Sequence, residues 1–376
     1  MIQEKRLINE FLELVRVGSE SLKEGKFCNL VVEKLRELGT QVFLDKVGEK
    51  IGSDGSNIIA KINGDHNFPA ILLNAHLDTV TPGTDIKPIL ENGTMKSDGT
   101  TILGADDKSG IAIILEVLRT LIAEKIPHPP IEIVFTLSEE IGLLGAKKLD
   151  YSLLNAKYGY SLDTAYVDKV TTGAPSHNKI SIKIYGIESH AGASPENGIS
   201  AIELAGKAIS MLKLGRIDEE TTSNIGKIKG GTATNIVAGY VELEGEARSH
   251  KEEKLEREIN RIVNAFKDVA RKNRKTIDGK LLTATVREKV THEYTKFNLP
   301  LESPVVQRVI KAGKRIGLDI QAEKGGGGSD ANIFNEKGIP TCIIGTGMQK
   351  VHTKEEFIKT GDLILGAKLL LEILRI

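Results

Sequence analysis

Three short runs constrain this chain most: 57–62, 69–76 and 131–137. The last reads Ile131-Glu132-Ile133-Val134-Phe135-Thr136-Leu137. They are dense in β-branched and aromatic residues, and they lack the strict polar alternation of a strand with one wet face. A strand that dry needs cover on both sides, the setting of a largely parallel sheet between helical layers. Helical patterns over about 3–17, 20–38 and 107–124 alternate with these runs. The first ~175 residues therefore read as an α/β domain, whose ligand sites are expected outside the carboxyl ends of its strands.

Polar clusters stand at those ends. Ala70–Ala75 stops at His76-Leu77-Asp78. Side chains at i and i+2 share one face of a strand, so Asp78 can orient the His76 ring as a carboxylate orients a metal-ligating imidazole. A simple His–Asp hydrogen bond is the alternative. Asp106-Asp107 precede the helix Ile111–Ala123, where an N-cap pair is a competing reading. Ser138-Glu139-Glu140 follows the third dry run, Ser161-Leu162-Asp163-Thr164 is a further run ending in a carboxylate, and Val351-His352-Thr353 lies beyond the strand 341–344. Histidine nitrogen and carboxylate oxygen without thiolate suit Zn²⁺, Co²⁺ or Mn²⁺ in hydrolysis. Five such ligands serve two metals if one carboxylate bridges.

The pattern changes near Gly173-Ala174-Pro175. A strand at 180–185, a helix at 198–213, strands near 223–229 and 236–247, a helix at 251–272 and a strand at 281–289 spell the ferredoxin-like order β-α-β-β-α-β. After Pro300 the α/β pattern resumes, with a helix from Ser303 to Ile316 and a strand at 341–344. Residues 1–176 and 293–376 are thus read as one split α/β domain, and 177–292 as an inserted α+β lid. At 376 residues, two domains are expected. The 51 acidic and 51 basic residues balance, which gives no electrostatic argument for nucleic acid or an anionic membrane. No apolar stretch approaches the ~18 residues of a membrane span. The amphipathic start lacks the features of a signal peptide, and Cys28 and Cys342 read as buried thiols, so a cytoplasmic protein is expected.

The motifs Asn-Ala-His-Leu-Asp-Thr-Val (74–80), Gly-Ala-Asp-Asp-Lys-Ser-Gly (104–110), Ser-Glu-Glu-Ile-Gly (138–142), Leu-Asp-Thr (162–164), Ser-His-Ala-Gly (189–192) and Val-His-Thr-Lys-Glu-Glu-Phe (351–357) together resemble those of the M20 metallopeptidases, in that family's order. The Gly-Ala-Asp-Asp-Lys form is most similar to peptidase T-like members. The resemblance implies a zinc-peptidase-type catalytic domain with two divalent ions, most often Zn²⁺. In it His76 and Asp163 bind one ion, Glu140 and His352 the other, and Asp106 bridges. It implies Glu139 as general base and acid, Asp78 as the residue orienting His76, and a cis Asp106–Asp107 bond. His190 would polarise the scissile carbonyl, acting across a homodimer formed through the lid, and Asn235, Arg248, Ser329 and Asp330 would contact substrate. The Gly325–Gly328 tract resembles the family's Gly-Gly-Ser-Asp turn and lacks a nucleotide-binding fingerprint. His66, His128, His177, His250 and His292 match no motif and read as surface or loop residues. The activity implied is cleavage of short peptides, of the aminopeptidase type. Around His352 the chain departs from the Tyr-His-Gly-Lys-His-Glu pattern of tripeptidases. N-acyl amino acid deacylation, desuccinylation and carboxypeptidase action share the same core, and a non-catalytic metal- or peptide-binding protein would have lost Glu139 or a ligand.

Overall fold

A computed structural model describes residues 1–376. The chain divides into two compact units, Met1–Ala174 with Phe297–Ile376, and Pro175–Lys296. The second begins before residue 177 because its first strand already pairs at Ser176, opposite Ser249. It extends past 292 because its last strand pairs as far as Tyr294.

The first unit is built on a nine-stranded sheet. Its centre is parallel: Ile131–Thr136, Ile71–His76, Tyr158–Thr164 and Thr341–Gly345 run side by side. Toward both edges the direction reverses. Ile58–Ile62 pairs antiparallel with 131–136, and Lys169–Ala174 pairs antiparallel with 341–345. The expected largely parallel sheet is therefore mixed; an apolar run specifies burial on two faces but not direction. The burial itself alternates as two covered faces require. Ile71 and Leu73 join the cluster under the helices Glu4–Val15, Ala105–Ala123 and Thr360–Leu374, while Leu72 joins Ile59, Val134 and Phe334 on the opposite face. Each fully buried Leu, Ile or Phe contributes about 1.5–3 kcal/mol relative to exposure. No helix is long and apolar enough to cross a membrane.

The expected helix over 20–38 starts only at Gly25. Glu20 forms a bridge to Thr79, and Ser21 donates its N–H to the Thr79 carbonyl. Its polar residues are drawn into the wall of the site described below.

In the second unit, five antiparallel strands run in the order Gly215–Arg216, Thr221–Gly230, Tyr240–Ser249, Ser176–Tyr185, Thr285–Tyr294. The helices Ala201–Ser210 and Glu252–Lys272 pack on the sheet through Leu204, Leu255, Ile259, Ile262 and Phe266, against Ile180, Ile182 and Leu243. This is the ferredoxin-like arrangement. The strand expected at 281–289 is divided. Lys280–Leu282 pairs back on Lys275–Ile277, turning at Asp278-Gly279, both at positive φ, an Asp-Gly hairpin signal. The long strand starts afresh at Thr285.

Candidate active site

The central strands end in the polar clusters. His76 is the last residue of its strand, Thr136 ends the next, and Asp163 lies at the end of Tyr158–Thr164. The chain bends after Thr136 because Ser138 takes a left-handed φ of 49°, so Glu139 and Glu140 diverge. Gly104, at φ 75°, opens the loop that presents Asp106. Asp106 and Asp107 keep non-helical dihedrals within Ala105–Ala123, so they are not the plain N-cap pair weighed as an alternative. The Asp106–Asp107 peptide bond is cis.

Four side chains meet at one point. His76 Nε2 lies 3.0 Å from Asp106 Oδ1, and His352 Nε2 lies 3.2 Å from Asp106 Oδ2 and 2.9 Å from Glu140 Oε1. The ligand atoms of His76, Asp106 and Glu140 lie within 4.8 Å of one another, as do those of His76, Asp107 and Asp163. Ligand atoms about 2.0–2.2 Å from a tetrahedral zinc stand roughly 3.3–3.6 Å apart. The separations and the donor set, imidazole and carboxylate without thiol, fit a pair of divalent cations.

The electrostatics point the same way. Burial, with Asp106 as the leading neighbouring charge, pushes the Asp163 carboxyl well above the usual carboxylate range. Burial and the nearby Asp163 and Glu140 do the same to Glu139, against the opposing influence of His76. Burial also raises Glu140. Asp106 is the exception: burial opposes its ionisation, but hydrogen bonds to His352 and His76 outweigh burial and hold it well below its ordinary value. His352 is raised to about 10 by its bonds to Asp106 and Glu140. Several buried carboxylates thus share two imidazoles as their cations, and divalent charge would relieve that crowding.

Asp78 does more than orient His76. The ring Nδ1 is 2.9 Å from the Asp78 backbone carbonyl and 3.4 Å from its carboxylate. That carboxylate accepts the N–H groups of Glu139 (2.8 Å) and Glu140 (3.2 Å) and the Ser21 hydroxyl (2.6 Å). It therefore ties the His76 strand end to the glutamate bend. Behind it, buried Glu24 accepts the Ser138 N–H and hydroxyl. Asp107, fully buried, accepts the N–H groups of His76 and Gly110. Sequence reasoning did not name Glu24 and read Asp107 only as one of an N-cap pair and as part of the cis bond; an acid whose partners include distant groups leaves no pattern for those contacts.

Ser329 and Asp330, the substrate contacts implied by the resemblance, make contacts to the strand ends of the site. Both are buried. Ser329 caps the helix Asp330–Glu336 and its hydroxyl lies on Asp163. Asp330 accepts hydrogen bonds from Thr136 and Asn74, and burial pushes it to about 6.

Within the second unit His190 and Asn235 lie together. His190 bridges to Ile236, and Ala191 donates its N–H to the Asn235 carbonyl. His190 Nδ1 accepts the N–H groups of Gly192 and Ala193, which places the ring proton on Nε2. Arg248 makes a two-toothed pair with Glu246, at 3.1 Å each. His177, expected at the surface, is buried beside Tyr294 and 3.1 Å from Glu246.

A two-unit α/β chain with histidines and carboxylates converging at its strand ends is the build of a metal-dependent hydrolase. Residues 72–376 match the family described as Peptidase family M20/M25/M40, and the chain belongs to that peptidase family. It is 41% identical to a tripeptidase from Staphylococcus aureus subsp. aureus Mu50, covering 100% of this chain and 98% of that one, with a TM-score of 0.93. Against the aminopeptidase PepT of Bacillus cereus ATCC 10987 the identity is 40%, the coverage 99% and 98%, and the TM-score 0.87. A Bacillus subtilis (strain 168) relative, the uncharacterized protein YqjE, is 42% identical, with 97% of this chain and 98% of that protein covered.

Proposed function

We propose that this chain is a dinuclear metal aminopeptidase that hydrolyses short peptides. The observation that carries the reading is the meeting of His76, Asp106, Glu140 and His352 within hydrogen-bond distance. The relatives described as a tripeptidase and an aminopeptidase support the substrate class.

His76 and Asp163 would hold one ion, Glu140 and His352 the other, and Asp106 both. Zinc is the first candidate, with Co²⁺ or Mn²⁺ as replacements. When bound, such ions polarise the amide carbonyl and acidify water. Glu139, its backbone fixed by Asp78, is the proposed base that takes a proton from the attacking water and returns it to the leaving amine. The Nε2–H that the His190 loop leaves as a donor is the form needed to polarise a carbonyl. The long edge strand Thr285–Tyr294, mostly exposed and paired on one side only, supports a homodimer through the second unit. The two unpaired buried thiols support a cytoplasmic setting.

E139Q tests the mechanism. It should keep two ions per chain, measured by metal analysis, and lose about 10²–10⁴-fold in turnover; substantial residual activity overturns the assignment. Substrate class is tested with di- and tripeptides carrying free or acetylated amino termini, alongside N-acyl amino acids. Equal cleavage of the blocked peptides would rule out the aminopeptidase reading.

A further inference from the structure

The turn that carries His352 also carries Glu356, and this second acid is 1% exposed. Its partners are main-chain groups some 250 residues away in sequence. Oε2 accepts the N–H groups of Leu103 (2.8 Å) and Gly104 (2.7 Å), and Oε1 accepts that of Asp106 (3.0 Å). The first N–H groups of a helix have no partner within it, and here the loop before the regular helix is bent by Gly104 at positive φ and by non-helical Asp106. Glu356 satisfies three main-chain donors of that loop and helix start. The turn is itself closed, with the Glu356 N–H on the Thr353 carbonyl and the Thr353 hydroxyl on the Lys350 carbonyl. One short segment therefore grips Asp106 twice, by its carboxylate through His352 and by its backbone through Glu356.

We infer that Glu356 is a positioning residue: it fixes the backbone of 103–106 so that both oxygens of Asp106 face the places where two ions would bind. The inference rests on the two-metal reading above. Glutamate is required because all three partners donate. A glutamine would turn an NH₂ donor toward at least one of them, and an aspartate keeps two accepting oxygens but reaches one methylene less far.

The test titrates metal-free protein with Co²⁺ and Zn²⁺ against a chromophoric chelator, for wild type, E356Q and E356D. E356Q is expected to weaken the more loosely held ion by about 10–100-fold, the size typical when a group supporting a ligand is lost. The Co²⁺ absorption spectrum should change shape, and kcat should fall while KM stays within about twofold. E356D should recover part of the lost affinity. If E356Q is folded, binds both ions as wild type does and keeps its spectrum, the inference is overturned. If E356Q fails to fold, hydrogen exchange on metal-free wild type decides. Amides of Leu103, Gly104 and Asp106 as protected as the sheet core support the clamp, and open-loop exchange there refutes it. Wild-type protein binding fewer than two ions would instead defeat the two-metal reading, leaving the exchange measurement to judge the clamp alone.

Discussion

Lys108, in the same loop-to-helix segment, is a fully buried cation without a carboxylate in contact. Its Nζ donates to the Val17 carbonyl at 2.6 Å and lies 4.5 Å from the centre of the Phe27 ring. Burial drives its pKa down from 10.5 to about 7. Between those values the unfolded chain keeps a proton that the folded chain has shed, so stability rises with pH across the window. At about 1.36 kcal/mol per unit, the change amounts to about 5 kcal/mol. K108M removes that slope. It also leaves the Val17 carbonyl without its donor, costing about 1–3 kcal/mol; the cation–π contact exists only for the charged form and is already contained in the shifted pKa. Below pH 7 the variant should therefore be the more stable protein by about 2–4 kcal/mol. Above pH 10.5 it should be the less stable by about 1–3 kcal/mol, with the two curves crossing between. Urea unfolding of both proteins in chelator, followed by circular dichroism from pH 6 to 11, measures the difference. A difference independent of pH, or one that runs the other way, refutes the account of Lys108 as a desolvated cation.

The second unit should show a response of the same sign at lower pH. Glu246 is held down at about 2 by hydrogen bonding to His177, aided by Arg248, so its contribution is present above pH 4.5 and is lost as pH falls through about 2. Its side chain is 36% exposed, and solvent screening reduces the contribution to about 1 kcal/mol. E246Q should cost that much at pH 7 and progressively less toward pH 3 in calorimetric melts; an equal cost at both would remove the ionic explanation. G345A would place a Cβ 2.2 Å from the Tyr166 carbonyl oxygen. Overpacking of this kind costs about 1–3 kcal/mol, and an unchanged melting temperature would show that the 166–167 turn yields freely.

The parts of the site legible in sequence are those where residue type is itself unusual for its place. A histidine at the end of a dry strand, or paired glutamates just beyond one, contradicts the burial around it and so draws attention. His76, Asp106, Glu140 and His352 were found that way and with the help of the motif resemblance, and the structure brings them together. Glu24 was not singled out, and Lys108 and Glu356 stand inside the quoted motifs with no role assigned, because a glutamate or lysine near a turn does not by its type indicate burial. Their burial depends on main-chain partners that only the fold brings near. Strand direction escaped for a related reason: 58–62 and 71–76 are alike in composition, yet they meet 131–136 with opposite polarity. The late start of the second helix follows from Ser21 and Glu24, whose side chains satisfy the site rather than a helical turn.

Strand Thr341–Gly345 lies between Tyr158–Thr164 and Lys169–Ala174, two strands that are near neighbours in sequence. A ribosome therefore delivers both sides of that gap long before the strand that fills it. Until then the 158–164 strand has an open parallel edge, while the continuous stretch 175–296 can complete its own core. His76, Asp106 and Asp163 are all synthesised early, but the strand that pairs beside Asp163 and the turn whose His352 and Glu356 contact Asp106 come only with the last residues. A nascent chain stalled before residue 341 therefore lacks the imidazole that meets Asp106 and Glu140.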